Sequence, residues 1–159
     1  VVLEGSDSAR MILAGNLDSI AGRDRKLALD LYDKLSLNSD IGLLLILSSS
    51  LYSLCYDDLM AFQVRARRLI ETGEDKVIRK LIEAGYRGYL DRDPRDEFSL
   101  MVMAWKFGGS LSRSRLKGLI FQQKQLSEQN FHRTLSGIRK FSETEALGLL
   151  EYIAGREAP

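Results

Sequence analysis

The stretch from Asp24 to Ser36, DRKLALDLYDKLS, carries leucine at 27, 31 and 35, with Ala28 and Tyr32 beside them. A spacing of four residues returns a side chain to the same side of an α-helix, so these positions define one apolar face and the charged residues between them the opposite one. No run of comparable length alternates with the period of two that a half-buried strand requires. The helical spacing recurs outward from here. Ile41 to Tyr56, IGLLLILSSSLYSLCY, is the most apolar run of the chain, interrupted by four serines. It falls short of the ~20 apolar residues that a membrane crossing needs, so it predicts a buried helix, with Leu44, Leu45, Leu47, Leu51 and Leu54 at the centre of the core and no membrane association.

Boundary chemistry fixes further helices. Asp93-Pro94 followed by Asp96 and Glu97 supplies an N-cap, a proline at the first helical position and early acids ahead of the apolar run Phe98 to Phe107. Ser142-Glu143-Thr144-Glu145 forms a capping box before Ala146 and Leu147, and Leu126 and Phe131 bracket Ser127 with the spacing of a hydrophobic staple. Gly22, Gly73 and Gly108-Gly109 follow periodic segments, where a left-handed residue closes a helix. Helices are expected near 6–21, 24–36, 40–55, 57–72, 75–89, 94–107, 112–125 and 127–140, with a ninth near 142–154. The expected fold is all-α: a single-domain bundle of about eight or nine short to medium helices over 1–159, with no β-sheet and a candidate hinge at Gly88 to Arg95.

A chain of 159 residues buries roughly 70% of its unfolded surface, enough for a self-sufficient core. Its 45% apolar and 28% charged composition with two prolines excludes a disordered tail, a collagenous chain and a disulfide scaffold. Val1 to Gly5 leads into a polar segment and is not expected to form a secretory leader, and the single Cys55, which has no internal disulfide partner, fits a reducing, intracellular compartment. Enzymatic constellations are poor. His132 is the only histidine and stands 77 residues from Cys55, and one of each cannot supply the ligands of a structural zinc. Gly108-Gly109-Ser110 lacks the Lys-Ser/Thr of a phosphate-binding loop. No catalytic residue, metal site, cofactor or small-molecule substrate is expected, and Trp105 reads as a core residue with its indole N–H near the surface, with Met101 and Met103 as packing residues beside it.

Twenty-three basic against 22 acidic residues leave a net charge of +1, and that total hides an asymmetry. Residues 1–60 carry −4, 61–90 carry +3, 91–100 carry −2 and 142–159 carry −3. Residues 101–141 carry +7, from Lys106, Arg113, Arg115, Lys117, Lys124, Arg133, Arg139 and Lys140 against Glu128 alone. Gln122, Gln123, Gln125, Gln129 and Asn130 are interleaved with these cations, and such amides bond to phosphates or base edges. Positive charge concentrated in one quarter of the length points to an anionic partner, nucleic acid foremost. The competing account is that these are solvated helix faces whose charge is cancelled in space by acids from the N-terminal half.

Within this quarter, Leu119 to Lys140, LIFQQKQLSEQNFHRTLSGIRK, reads as a helix, a short turn at Gln125-Leu126-Ser127 and a second helix capped by Ser127. Its second half resembles the recognition helix of bacterial helix-turn-helix regulators, with an apolar residue and a Ser cap at the turn, a polar run, an apolar anchor, an Arg and a Leu. The resemblance covers about 15 residues and places a helix-turn-helix at 112–140, implying that Gln129, Asn130 and Arg133 face a major groove while Phe131, Leu135 and Ile138 turn inward. It departs from the pattern at Gln125, where the turn usually carries Gly, and at Gln122 or Gln123, where a small apolar residue is usual. The candidate nucleic-acid-binding residues are Arg113, Arg115, Lys117, Lys124, Gln129, Asn130, Arg133, Arg139 and Lys140.

A secondary basic cluster, Arg65, Arg67, Arg68 and Lys76, followed by Arg79, Lys80 and Arg87, lies either side of Gly73. In a helical hairpin Arg68 and Lys76 would meet near the tip and extend a backbone-binding groove. Glu71, Glu74, Asp75 and Glu83 stand at spacings suited to local pairing instead. The functional expectation is a non-catalytic helical domain that binds a polyanion through segment 106–140, and the alternative is a helical adaptor that docks a protein partner.

Overall fold

Asp24, Asp40 and Asp58 each open a helix in the same way: one carboxylate oxygen accepts the backbone N–H three residues on, at 2.9, 2.8 and 2.9 Å respectively. That bond satisfies one of the four donors a helix start leaves unpaired. The computed structural model describes residues 6–86 and 99–126, together with Glu128, Gln129, His132 and Glu151. Eight α-helices and no strand occur among the described residues: α1 (Asp7–Gly15), α2 (Leu17–Ala21), α3 (Arg25–Leu35), α4 (Ile41–Leu54), α5 (Leu59–Glu71), α6 (Asp75–Leu81), α7 (Ser99–Phe107) and α8 (Ser110–Leu126). A π-helical turn, Ile82–Tyr86, continues α6.

The all-α expectation holds, and so does the central place of the apolar run. α4 packs against α1, α2, α3, α5, α6 and the π-turn. Leu43, Leu44, Leu47, Leu51 and Leu54 are buried on it, whereas Leu45 is only half-buried. The serines fit because they bond to their own helix. The buried Ser48 hydroxyl donates to the Leu44 carbonyl at 2.8 Å, and the Tyr32 hydroxyl, also buried, donates to the Leu47 carbonyl at 3.3 Å. Cys55 lies beneath the surface at the end of α4, and burial pushes its thiol up to about 11. Among the described residues no helix is long and apolar enough to cross a membrane.

Five local expectations need correction. The helix expected over 6–21 breaks at Asn16, whose side-chain amide donates to the Ile12 carbonyl at 2.7 Å and so competes with the backbone ladder. On α3 the buried face is Ala28, Tyr32 and Leu35, while Leu27 is 48% exposed, so the apolar stripe is turned by one position from the leucine spacing. The helix expected over 75–89 passes into the π-turn at Ile82, and that over 112–125 begins two residues earlier, at Ser110. Finally, Gly73 alone of the described glycines is left-handed, at φ +71°, whereas Gly22 is right-handed at φ −63°. Gly108 and Gly109 are small for another reason: a Cβ on Gly109 would lie 2.7 Å from the Asp75 carboxylate, and one on Gly108 would overlap the Ser112 hydroxyl. The helix start at Asp93-Pro94 and the hinge at 88–95 lie outside the described residues, as do the helices expected over 127–140 and 142–154 apart from Glu128, Gln129, His132 and Glu151.

Candidate functional site

The start of α8 is held by a side chain from another helix. Asp75, the first residue of α6, accepts the backbone N–H groups of Gly109, Leu111 and Ser112, each at 2.9 Å, and the Ser112 hydroxyl at 2.5 Å. Burial on its own would raise the Asp75 carboxyl, but the hydrogen bonds from Ser112, Leu111 and Gly109 hold it below the usual value. The donors that make a helix N-terminus attractive to an anion are therefore already filled by a carboxylate. What the clamp does is lock α8 against α6.

Locked in this way, α8 presents its cations on two flanks. Ser112, Leu116, Leu119 and Ile120 are buried. Arg113 and Lys117, one turn apart, lie toward α7. The Arg113 Nε donates to the Trp105 carbonyl at 2.9 Å, its guanidinium carbon stands 5.4 Å from the Trp105 ring centroid, and the Lys117 Nζ stands 5.8 Å from it. Trp105 is thus half-buried, packed against the core, with two cations beside its ring. Arg115 lies on the opposite flank, toward α6, where its charge acts on Glu83. The Glu83 carboxyl is held below its ordinary value first by the hydrogen bond from Arg79, at 2.8 Å, against desolvation, with the charges of Arg79, Arg115 and Lys80 adding to the effect.

The secondary cluster divides. Arg65 and Arg68 both reach Asp33 on α3, at 2.7 and 3.2 Å, and Arg67 points its Nη1 at the Met103 sulfur, 3.5 Å away. The α5 arginines are therefore engaged by neighbouring helices. Lys76 is exposed and stands instead with Arg79 and Lys80 beside α8. Two open grooves make the contrast visible. One, of about 590 Å³, is lined by Arg25, Lys26 and Arg65 with Asp30, Asp57 and Asp58, a balanced set in which Arg25 pairs with Asp57 at 3.4 Å. The other, of about 240 Å³, is lined by Lys76, Arg79 and Lys80 with Glu83 as its only acid, over Leu45 and Leu111. Arg115 adds a further cation beside it.

Arg79 and Lys80 belong to the basic run that the sequence marks out on either side of Gly73, where they follow Arg65, Arg67, Arg68 and Lys76. Their signal is the one-turn spacing from Lys76, but the cation that completes the group, Arg115, is 35 residues farther on from Lys80. Of the remaining candidates, Lys124 lies in α8 and Gln129 is exposed, while Asn130, Arg133, Arg139 and Lys140, with most of the second helix of the helix-turn-helix resemblance, lie outside the described residues. Among the described residues no group of three His, Cys, Asp or Glu is placed to hold a metal ion. No protein-family model, no curated protein and no solved structure matches the chain, so function must be argued from this arrangement of charge.

Proposed function

We propose that the protein is a non-catalytic module that binds a polyanion, most directly the backbone of a nucleic acid, through the cations that flank α8. The observation that carries this is the unequal charge of the two grooves: the one between α6 and α8 holds Lys76, Arg79 and Lys80 against Glu83, whereas the one between α3 and α5 is balanced. Solvated faces that merely cancel one another would leave both grooves alike. Binding of this kind releases counterions, so log K falls linearly with log salt at about 0.9 unit per phosphate contacted. In fluorescence anisotropy with labelled oligonucleotides, Lys76→Ala, Lys80→Ala and Arg115→Ala should each weaken binding on every sequence alike and each flatten the salt slope by about one unit. An unchanged slope in all three would remove the groove from the account.

A second function, docking of a protein partner, is favoured by one observation: Met60, 68% exposed, and Val64, 43% exposed, stand one turn apart on α5. Salt-insensitive capture of a single protein, lost in Met60→Asp, is the outcome that would put this function first.

A further inference from the structure

We propose that the groove between α6 and α8 receives an unpaired nucleotide of a nucleic-acid strand, with its base and sugar over Leu45 and Leu111 and the adjoining phosphates on Lys76, Lys80 and Arg115. This rests on the polyanion function above and adds to it the form of nucleic acid that the groove prefers. The groove is more than a patch of charge. Lys76 and Lys80 stand one turn apart on α6, and Leu111 and Arg115 one turn apart on α8, so each pair shares a side of its helix. Leu111, 40% exposed, and the half-buried Leu45 of α4 give the groove an apolar lining. Leu111 is held in place from behind, because its backbone N–H donates to the Asp75 carboxylate at 2.9 Å. Lys76, Lys80 and Arg115 are exposed, and Glu83, the one acid among the described residues that line the groove, accepts from Arg79 at 2.8 Å.

The occupant must therefore carry negative charge and an apolar surface within one short reach. A phosphate chain alone would satisfy the cations and leave the leucines in water. A duplex keeps its base faces stacked inside, so it too meets the groove only through its backbone. An unpaired nucleotide supplies both parts. A peptide laid along the same path would bring one backbone N–H per residue, and the groove offers these donors only Glu83, which already accepts from Arg79, whereas the oxygens of a nucleic-acid backbone are acceptors that suit a wall of lysine and arginine. Two leucines are too short a lining for an acyl chain. At about 240 Å³ the groove is also smaller than the ~300–1,000 Å³ of sites that enclose a whole small molecule, so it suits one unit of a longer chain laid across it.

The full chain is titrated by fluorescence anisotropy with labelled oligothymidylate, with an abasic strand of equal length and phosphate count, with a blunt duplex and with a peptide of alternating Glu and Leu. Oligothymidylate should bind about fivefold more tightly than the abasic strand, from the apolar area covered on Leu111 and Leu45, and with the same salt slope. Leu111→Ser should erase that preference, weakening oligothymidylate while leaving the abasic strand and the duplex unchanged. Leu111→Met, which keeps an apolar side chain there, should retain the preference, and both variants should keep the circular dichroism spectrum of the wild type. If the wild type binds the two strands equally, or if Leu111→Ser weakens the abasic strand as much as oligothymidylate, the nucleotide site is wrong and the polyanion function stands. Tighter binding of the Glu-Leu peptide than of oligothymidylate likewise overturns the site. If neither strand nor duplex binds at all, both fall.

Discussion

Asp75 shows how one side chain can organise a surface it does not belong to. Its carboxylate bridges the first residue of α6 to the first turn of α8, and so sets where Arg113, Arg115 and Lys117 stand relative to Lys76 and Lys80. A helix cap of this kind is worth ~0.5–2 kcal/mol, which is the expected cost of Asp75→Ala in urea unfolding at neutral pH. The pH dependence follows from the lowered folded pKa. Such a carboxylate contributes stability that is fully present above its unfolded value, about 3.9, and is lost as pH falls through the folded one. The gap between wild type and Asp75→Ala should therefore narrow below pH ~4, and a gap that stays constant down to pH 2 would mean the charge plays no part. In the core, Leu47 is fully buried at the centre of α4, and Leu47→Ala should cost ~2–5 kcal/mol in the same experiment, with a loss below ~1 kcal/mol contradicting its place there.

Two glycines in helical segments give opposite expectations that the sequence alone would not separate. Glycine in a helix interior costs about 0.5–1 kcal/mol relative to alanine, so Gly118→Ala on the open ridge of α8, where nothing lies within 4 Å of the added carbon, should stabilise by that amount. Gly85 sits in the π-turn with its backbone against Tyr52, and an added Cβ would overlap that side chain. Gly85→Ala should destabilise by ~1–3 kcal/mol, and thermal unfolding of the two variants checks both signs. Helix starts with their own capping residue were legible: Asp24, Asp40 and Asp58 fall at or within two residues of the boundaries that composition and spacing predict. The break at Asn16 was not, because Leu13, Leu17 and Ile20 keep a helical spacing across it, while the Asn16 side-chain amide takes the Ile12 carbonyl and its backbone N–H turns to the Leu13 carbonyl. The rotation of the α3 face was hidden for a related reason. Leu27 and Ala28 both fit the period, and which of them is buried depends on what α2 and α4 bring against α3.

Across the molecule, what sequence could not supply is partnership over distance. The swing to +7 in residues 101–141 is plain from composition, yet the flank that stays positive draws Lys76, Arg79 and Lys80 from a segment only +3 overall, while Arg65 and Arg68 of that segment are taken up by Asp33. The separation between Asp75 and its α8 partners is 34 to 37 residues, and no local pattern announces it. The central claim is that location of charge, not its total, binds the polyanion. Two double variants change net charge identically: Lys76→Glu with Lys80→Glu in the α6 groove, and Lys26→Glu with Lys34→Glu on α3, all four lysines being exposed. Measured by anisotropy on one labelled single strand at about 0.1 M salt, where charges beyond ~10 Å are screened, the α6 pair should lose binding by at least about tenfold and the α3 pair by no more than about twofold. Equal losses from the two pairs would contradict the account.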